Sequence, residues 1–276
     1  MKYLAYTSWL FSALVLLCGC GGTSVPPTGS GSGQPPQGAA SIAGNWQFST
    51  TSAISATPSL MIAGSINQSG RSVSGSVHVN GSNCFPQLIT MALTGAMTGG
   101  TVSLTSASVA GQVLSFTGSI SNILNGTASS FAGTYTINGG CANSDHGNVT
   151  GIKIPVLANV LNGTLSASGG QTFDLAASDA QNSVPSSDGS FGISGNVTFT
   201  TSCFSSGTIT PGTLASGSSI LGTSVVLVVD TGNATLTFAG TLDRGKGEIT
   251  GNYAIAGGAC DQTGTGILTI ASPWDY

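Results

Sequence analysis

A short stretch that occurs twice constrains the fold of this chain more than any other feature of its sequence. The first copy, FAGTYTINGGC, ends at Cys141, and the second, ITGNYAIAGGAC, ends at Cys260. Tyr135 and Tyr253 hold the same place in the two copies and are 118 residues apart (253 − 135). The chain therefore has the signature of an internal repeat, in which one structural plan is used twice.

A second pair of matching segments indicates the length of the repeated unit. VSGSVHV stands shortly before Cys84, and ISGNVTF stands shortly before Cys203. Cys84 and Cys141 are 57 residues apart (141 − 84), and Cys203 and Cys260 have the same spacing (260 − 203). These matches predict a duplicated domain of about 115–120 residues, which is long enough for each copy to bury its own core.

The pattern of apolar residues predicts antiparallel β structure in both copies. In VLSFTGSI of the first copy, Leu114, Phe116 and Ile120 share one face of a strand, while Ser and Thr occupy the other. TLTFAGTL repeats this alternation in the second copy. One face is then expected in a core and the other in water. Gly-containing turn signals separate the predicted strands of the first copy, which lie at 44–50, 59–68, 72–79, 88–97, 101–109, 113–120, 131–137 and 149–154.

The composition excludes two classes of binding partner. Charged residues are 5% of the chain, against about 25% in ordinary globular domains. The 42 glycines and the many Ser and Thr residues favour strands and turns over helices. Without Lys2, four of the five basic side chains face nine acidic ones, a net charge of about −5. Nucleic acid and anionic lipid both require clustered cations, so neither is an expected partner.

The N-terminus predicts export. Residues 1–19 contain one lysine, an apolar run too short to span a bilayer comfortably, and then small residues, as in a secretory leader. The segment LCGC that ends at Cys20 resembles the lipobox of bacterial lipoproteins, with Cys18 as a departure from the pattern and a rival cleavage position. The resemblance implies cleavage by signal peptidase II and acylation of Cys20. Gly21 after it implies the outer membrane, and an ordinary signal peptide is the alternative.

The leader is followed by a tether and then by the two repeated domains. Residues 20–40 are rich in Gly, Ser and Pro and have almost no apolar side chain to bury, so a disordered stalk is predicted. The domains are predicted at 41–155 and 156–276, with the boundary near Pro155. The membrane is then an expected partner only through the lipid on Cys20, because two or three acyl chains hold a protein durably.

Four cysteines remain in the predicted body, and three pairings of them are conceivable. The duplication favours Cys84 with Cys141 and Cys203 with Cys260, because each copy should fold alone. Exported proteins meet an oxidising environment in which such bridges persist. Free buried thiols or a metal site are the alternative, although a Cys₄ zinc site normally uses closely spaced Cys-x-x-Cys pairs and the chain has none.

Seven or eight short strands in each copy are compatible with an up-and-down barrel or a β-sandwich. Local hairpins between sequential strands favour the barrel, with one disulfide in each. Gly44-Asn45-Trp46 resembles the G-x-W motif that opens lipocalins and also occurs near the start of avidins, both eight-stranded barrels that hold a small ligand. The resemblance implies a barrel and makes Trp46 a candidate ligand contact. The second copy has Leu165 in place of this tryptophan.

Polar residues of the types used in catalysis or metal binding are few and scattered. His146 follows Asp145, but adjacent loop residues seldom point the same way, so a solvated turn is the interpretation. His78 alternates with two valines and is predicted on a strand surface. Two histidines do not make a catalytic zinc site by themselves, and no metal or cofactor is predicted.

The carboxylates give no stronger signal than the histidines. Asp174, Asp179 and Asp188 do not have the spacing of a calcium loop, and whether they bind a cation stays open. Glu248 is the only glutamate, and the chain contains neither a G-x-S-x-G nor a P-loop motif. No catalytic residue is predicted.

These observations support two hypotheses of function. The first is a non-enzymatic, lipid-anchored protein of the cell envelope that has a structural or adhesive role, or that binds glycans or other envelope proteins. The second is a small-ligand carrier with a cavity inside one or both barrels. The first rests on the anchor, the tether and the duplicated domain, and the second rests on the Gly44-Asn45-Trp46 motif.

Overall fold

The computed structural model describes residues 40–54, 59–86, 89–124, 126–157, 161–201, 203–258 and 260–270. The predicted leader, the lipidation site Cys20, the tether up to residue 39 and Trp274 lie outside this part of the chain. Within the described ranges, no helix is long and apolar enough to cross a membrane. The regular structure consists of strands.

The first copy forms a closed antiparallel barrel of eight strands. Each strand pairs with its neighbour in the sequence, and β1 closes the barrel by pairing with β8, so that Trp46 lies opposite Lys153. The barrel prediction is confirmed over the sandwich, and all eight predicted segments contain strands. The strands are β1 (Gly44–Ser52), β2 (Met61–Ser69), β3 (Ser72–Asn80), β4 (Met91–Thr98), β5 (Thr101–Ser106), β6 (Val113–Leu124), β7 (Thr127–Asn138) and β8 (His146–Ile154).

The second copy also closes into an eight-stranded barrel, with one strand position divided in two. β12 and β13 both pair with β11 and with β14, so together they occupy the fourth position, and β17 closes the barrel on β9. The strands are β9 (Leu161–Ala167), β10 (Thr172–Gln181), β11 (Phe191–Phe199), β12 (Ser206–Ile209), β13 (Ser219–Leu221), β14 (Ser224–Asp230), β15 (Thr235–Asp243), β16 (Glu248–Ala256) and β17 (Gln262–Ile270).

The predicted alternation sets the inside and the outside of each barrel. In β6, Leu114 and Phe116 are buried, and Thr117 on the opposite face is exposed. Leu236 and Phe238 of β15 are buried in the same way in the second barrel. The barrel interior is therefore the hydrophobic core of each copy, as expected for strands with one apolar face.

Paired glycines explain part of the repeated stretch. Gly118 lies opposite Gly133 in the first barrel, and Gly240 lies opposite Gly251 in the second. A Cβ atom on Gly133 would lie 2.5 Å from the Cα of Gly118, and one on Gly251 would lie 2.5 Å from the Cα of Gly240. The ring of Phe131 covers Gly118. Adjacent backbones thus approach too closely for any side chain at these positions.

The end of the repeated stretch forms a turn that a disulfide closes. Gly139 and Gly140 have φ angles of 81° and 59°, and the equivalent Gly257 and Gly258 have 96° and 80°. Glycine adopts such angles without steric cost. Both predicted disulfides are present, Cys84–Cys141 and Cys203–Cys260, with Cα–Cα distances of 5.6 Å and 5.9 Å. Closing a loop of 57 residues contributes about 4 kcal/mol in the chain-entropy model.

The two barrels contact each other through the outer face of β1 and β2. The Asn45 side-chain amide donates to the carbonyl of Asn182 at 3.0 Å. Gln47 donates to the carbonyl of Gly189 at 2.8 Å and accepts from the amide of Gly222 at 2.6 Å. Both side chains are buried, so this polar junction is satisfied and holds one barrel against the end of the other.

Apolar side chains from the first barrel complete the core of the second. Ala63 of β2, Ile154 at the end of β8 and Leu157 in the connection all pack in that core. The amide of Leu157 also donates to the side-chain oxygen of Gln181 at 2.9 Å. Ala40, which precedes β1 at this same end of the first barrel, is also buried. The predicted boundary near Pro155 is thus a packed connection.

The prediction that His78 lies on the surface is wrong. The side chain is 6% exposed, and its Nε2 atom lies 2.8 Å from the Thr90 hydroxyl. His78 does point outwards from β3, but it pairs with Ala63, which the second barrel covers completely. Burial lowers the pKa of His78. Tertiary packing, which the period of one strand does not show, therefore removes this residue from water.

Candidate functional site

Aromatic side chains fill the interior of the first barrel. The Trp46 ring stacks on Phe48 at 5.7 Å, Phe48 stacks on Phe116 at 5.5 Å, and Phe131 meets Phe48 edge-on at 5.8 Å. The cavity between these side chains has a volume of about 10 Å³. Since one water molecule requires about 10–15 Å³, no small molecule fits there.

The structure places Trp46 in the core of the first barrel. Its ring is 1% exposed, and the indole N–H donates to the carbonyl of Ile42 at 2.7 Å. The polar atom of the side chain is therefore satisfied inside the protein, as is usual for a buried tryptophan. The candidate ligand contact has no open space next to it that would admit a ligand.

On strands β5, β6 and β7, the outer face of the first barrel carries many small side chains with hydroxyl groups. Rows of them run across the strands, as in Thr105, Ser115 and Thr136, which lie side by side on β5, β6 and β7. The hydroxyls of Thr105 and Ser115 are 3.4 Å apart, and those of Ser103 and Thr117 are 3.3 Å apart. No Asp, Glu, Lys or Arg occurs between residues 72 and 144.

The disulfide end of the first barrel contains a pocket with a buried carboxylate. The pocket has a volume of about 310 Å³, and Asn83, the two cysteines of the bridge, Asn143 and Asp145 are among its lining residues. Asp145 is 3% exposed. A carboxylate that is this deeply buried needs hydrogen-bond donors.

Two hydroxyl groups supply those donors. Ser52 donates to Oδ1 of Asp145 at 2.6 Å, and the Tyr135 phenol donates to Oδ2 at 3.0 Å. Burial raises the pKa of Tyr135, and the hydrogen bond and negative charge of Asp145 add to the rise. Both donors hold the carboxylate in place, which is a structural arrangement of the barrel end.

The second barrel does not have this arrangement in its described residues. Tyr253, the equivalent of Tyr135, is buried, but among the described residues its hydroxyl has no hydrogen-bond partner. Asp261 immediately precedes β17, as Asp145 precedes β8, but it is exposed. Burial raises the pKa of Tyr253. The two copies therefore share a fold while their disulfide ends differ in polarity.

His146 does not act with its neighbour. The ring is exposed, and Nδ1 lies 2.9 Å from the carbonyl oxygen of Ser144. The carboxylate of Asp145 points into the barrel end, where Ser52 and Tyr135 hold it. The two side chains thus have different hydrogen-bond partners. The expectation of a solvated turn is wrong, because Asp145 is buried and His146 begins strand β8.

The three aspartates considered for a cation face three different environments. Asp174 is exposed on the outer face of β10 and accepts from the Thr164 hydroxyl at 2.8 Å, whereas Asp179 points inwards from the same strand. Asp188 lies in a loop and accepts bonds from Ser190 and from the Leu214 amide. Among residues that the structure describes, no three potential ligands are grouped for a metal ion.

Hydrogen bonding explains why the pKa of Asp188 is lowered although the side chain is partly buried. Burial by itself would raise the pKa of this carboxyl group. The Ser190 hydroxyl at 2.6 Å, the Ser190 amide at 3.0 Å and the Leu214 amide at 3.1 Å outweigh burial, and the pKa is lowered. Asp188 thus ties two loops of the second barrel together.

Asp179 and Lys153 are buried ionisable groups whose positions the sequence reasoning missed. Burial raises the pKa of Asp179 to about 7 and lowers the pKa of Lys153 to about 8. Neither carboxylate oxygen of Asp179 has a hydrogen-bond partner among the described residues. The signal was available, because Asp179 continues the inward series of Phe173, Leu175 and Ala177 along β10.

No protein-family model, curated protein or solved structure matches this chain. The lipobox and G-x-W resemblances accordingly rest on the residues that carry them.

The two equivalent tyrosines provide a matched test of the buried carboxylate. Tyr135→Phe should lower the free energy of unfolding by about 1–3 kcal/mol, because it removes a hydrogen bond to a charged, buried group. Tyr253→Phe should leave stability within about 0.5 kcal/mol of the parent or raise it, because its hydroxyl has no described partner. Urea unfolding of both variants measures the difference, and equal losses would contradict this account of Asp145.

The carboxyl of Asp179 should make the protein less stable as the pH rises. Its folded-state pKa of about 7 lies above the ordinary value of 3.8, so between these values the folded state holds a proton that the unfolded state has released. This carboxyl group should therefore contribute a fall of roughly 2–4 kcal/mol in the free energy of unfolding between about pH 4 and pH 7. Urea unfolding at pH 5 and at pH 8 measures the fall.

Asp179→Asn should remove this pH dependence and raise stability at pH 8, because an amide cannot ionise. Asp174→Asn is the control, since Asp174 lies exposed on the outer face of the same strand. If Asp179→Asn kept the full loss of stability between pH 5 and pH 8, another group would be responsible for it.

Proposed function

We propose that this protein is a non-enzymatic, lipid-anchored protein of the bacterial cell envelope with an outer-membrane location. Its two barrels would stand on the tether and have a structural or adhesive role, binding glycans or other envelope proteins. The observation that carries the proposal is the outer surface, which presents Ser, Thr and Asn side chains with few charges.

The placement of the few ionisable groups supports a binding role over a catalytic one. His78 is buried on β3, whereas His146 is exposed at the start of β8. Asp145 is held by two hydroxyls, and Asp179 lies inside the second barrel. Acid–base catalysis needs a positioned group within reach of a substrate and of its partner, whereas Asp145 is bonded to Ser52 and Tyr135 and not to His146.

The filled barrel gives less support to a small-ligand carrier. Such a carrier needs an enclosed site, commonly about 300–1,000 Å³ in volume. The interior of the first barrel leaves about 10 Å³ beside Trp46 and Phe48. The exterior is therefore the surface on which we place the binding role.

The anchor has a direct test at Cys20. The full chain expressed in a bacterial host should incorporate labelled fatty acid and fractionate with membranes, because the lipobox resemblance implies acylation of Cys20. Cys20→Ser should lose the label and shift the protein out of the membrane fraction. Cys18→Ser is the matched control and should keep both properties. Labelling that depends on Cys18 and not on Cys20 would contradict the assignment.

The binding role is tested with the full chain in detergent. A glycan array and a pull-down from envelope extracts should give saturable binding of a glycan or an envelope protein. Panels of ester, glycoside and peptide substrates should give no turnover above that of a heat-denatured sample. Turnover that follows the protein through purification would refute the non-enzymatic proposal.

A further inference from the structure

The outer face of the second barrel contains an uncharged groove across β15, β16 and β17. Its volume is about 470 Å³. Two rows of side chains form it, one from Thr237, Ala254 and Thr263 and one from Ala239, Asn252 and Thr265. All six residues are exposed, and none of the lining residues carries a charge.

Two alanines form the low floor of the groove. In the first barrel, Thr117 and Thr136 occupy the positions equivalent to Ala239 and Ala254. The equivalence holds because β15 and β16 of the second barrel pair in the same register as β6 and β7 of the first. The second barrel thus has methyl groups where the first has larger hydroxyl side chains. The exchange leaves a recess whose floor is apolar and whose edges carry hydroxyl and amide groups.

We infer that this groove binds a short stretch of a neutral oligosaccharide. This inference rests on the proposed function and names a site and a ligand class for it. A sugar ring has apolar C–H faces and a rim of hydroxyls. The methyl groups of Ala239 and Ala254 suit the faces, while the Thr hydroxyls and the Asn252 amide both donate and accept hydrogen bonds to the rim.

Size and charge select this ligand class. Three adjacent strands span about 10 Å, which suits an elongated ligand lying across them. An anionic glycan would need a cation, and no Lys or Arg lines the groove. A protein partner would need an apolar anchor in a pocket, and the floor offers methyl groups alone.

The test fills the groove with the residues of the other copy. Ala239→Thr combined with Ala254→Thr should lower affinity for a neutral oligosaccharide at least tenfold. The probes are cello-, xylo-, malto- and chito-tetraose, titrated into the detergent-solubilised full chain by calorimetry and NMR. Threonine is a better strand former than alanine, so these exposed substitutions should leave the fold intact. Urea unfolding of the variant verifies this.

The reverse exchange in the first barrel is the matched control. Thr117→Ala with Thr136→Ala changes the same two strand positions outside the groove and should leave the affinity within twofold. On titration, the largest NMR shifts should fall on the methyls of Ala239 and Ala254 and on the Asn252 amide. These results together would establish the groove as the site.

Three results would overturn the inference, and each says something different about the proposed function. Neutral-glycan binding that survives filling of the groove would place the site elsewhere and leave the binding role intact. Binding of charged glycans or of a protein alone would also leave that role intact while excluding this ligand class. Absence of all binding together with enzymatic turnover would refute the inference and the proposed function.

Discussion

Closure of each sheet around an apolar interior is the constraint on which the rest of this structure depends. Alternating residues place Leu114, Phe116 and their equivalents inside, and closure removes the exposed strand edges that invite aggregation. Because Gly118 and Gly133 have no side chains, strands β6 and β7 approach closely at this point. Aromatic rings then occupy the space inside the barrel that side chains at these positions would take. An interior filled in this way leaves the outside of the first barrel as the surface available to partners.

The two copies show how one plan accommodates different chemistry. Each has the same glycine turn and the same disulfide, which hold the barrel end irrespective of what lies inside it. The first copy then buries Asp145 under two hydroxyl donors, whereas the second leaves the Tyr253 hydroxyl without a described partner. The outer faces differ as well, because Ala239 and Ala254 open a recess where the first barrel has threonines.

Contact between the barrels changes the environment of residues that look ordinary in a single strand. Gln47 lies on the outer face of β1, yet it is buried and bonds to two backbone groups of the second barrel. His78 lies on the same side and is also buried. Because the chain has few charged residues, few ionised groups have to leave water when such contacts form, and the desolvation free energy is small.

Local pattern was enough for the strands and both disulfides, because alternation, Gly turns and equal cysteine spacing act within one copy. It favoured a barrel over a sandwich, but the pairing of the first strand with the last decided closure. Asp179 was also accessible from its inward place on β10, although the sequence reasoning overlooked it. The burial of His78, the packing of Ala63 in the second core and the recess at Ala239 depend on which surfaces meet in three dimensions. Tertiary structure decided these, because side chains distant in sequence create those surroundings.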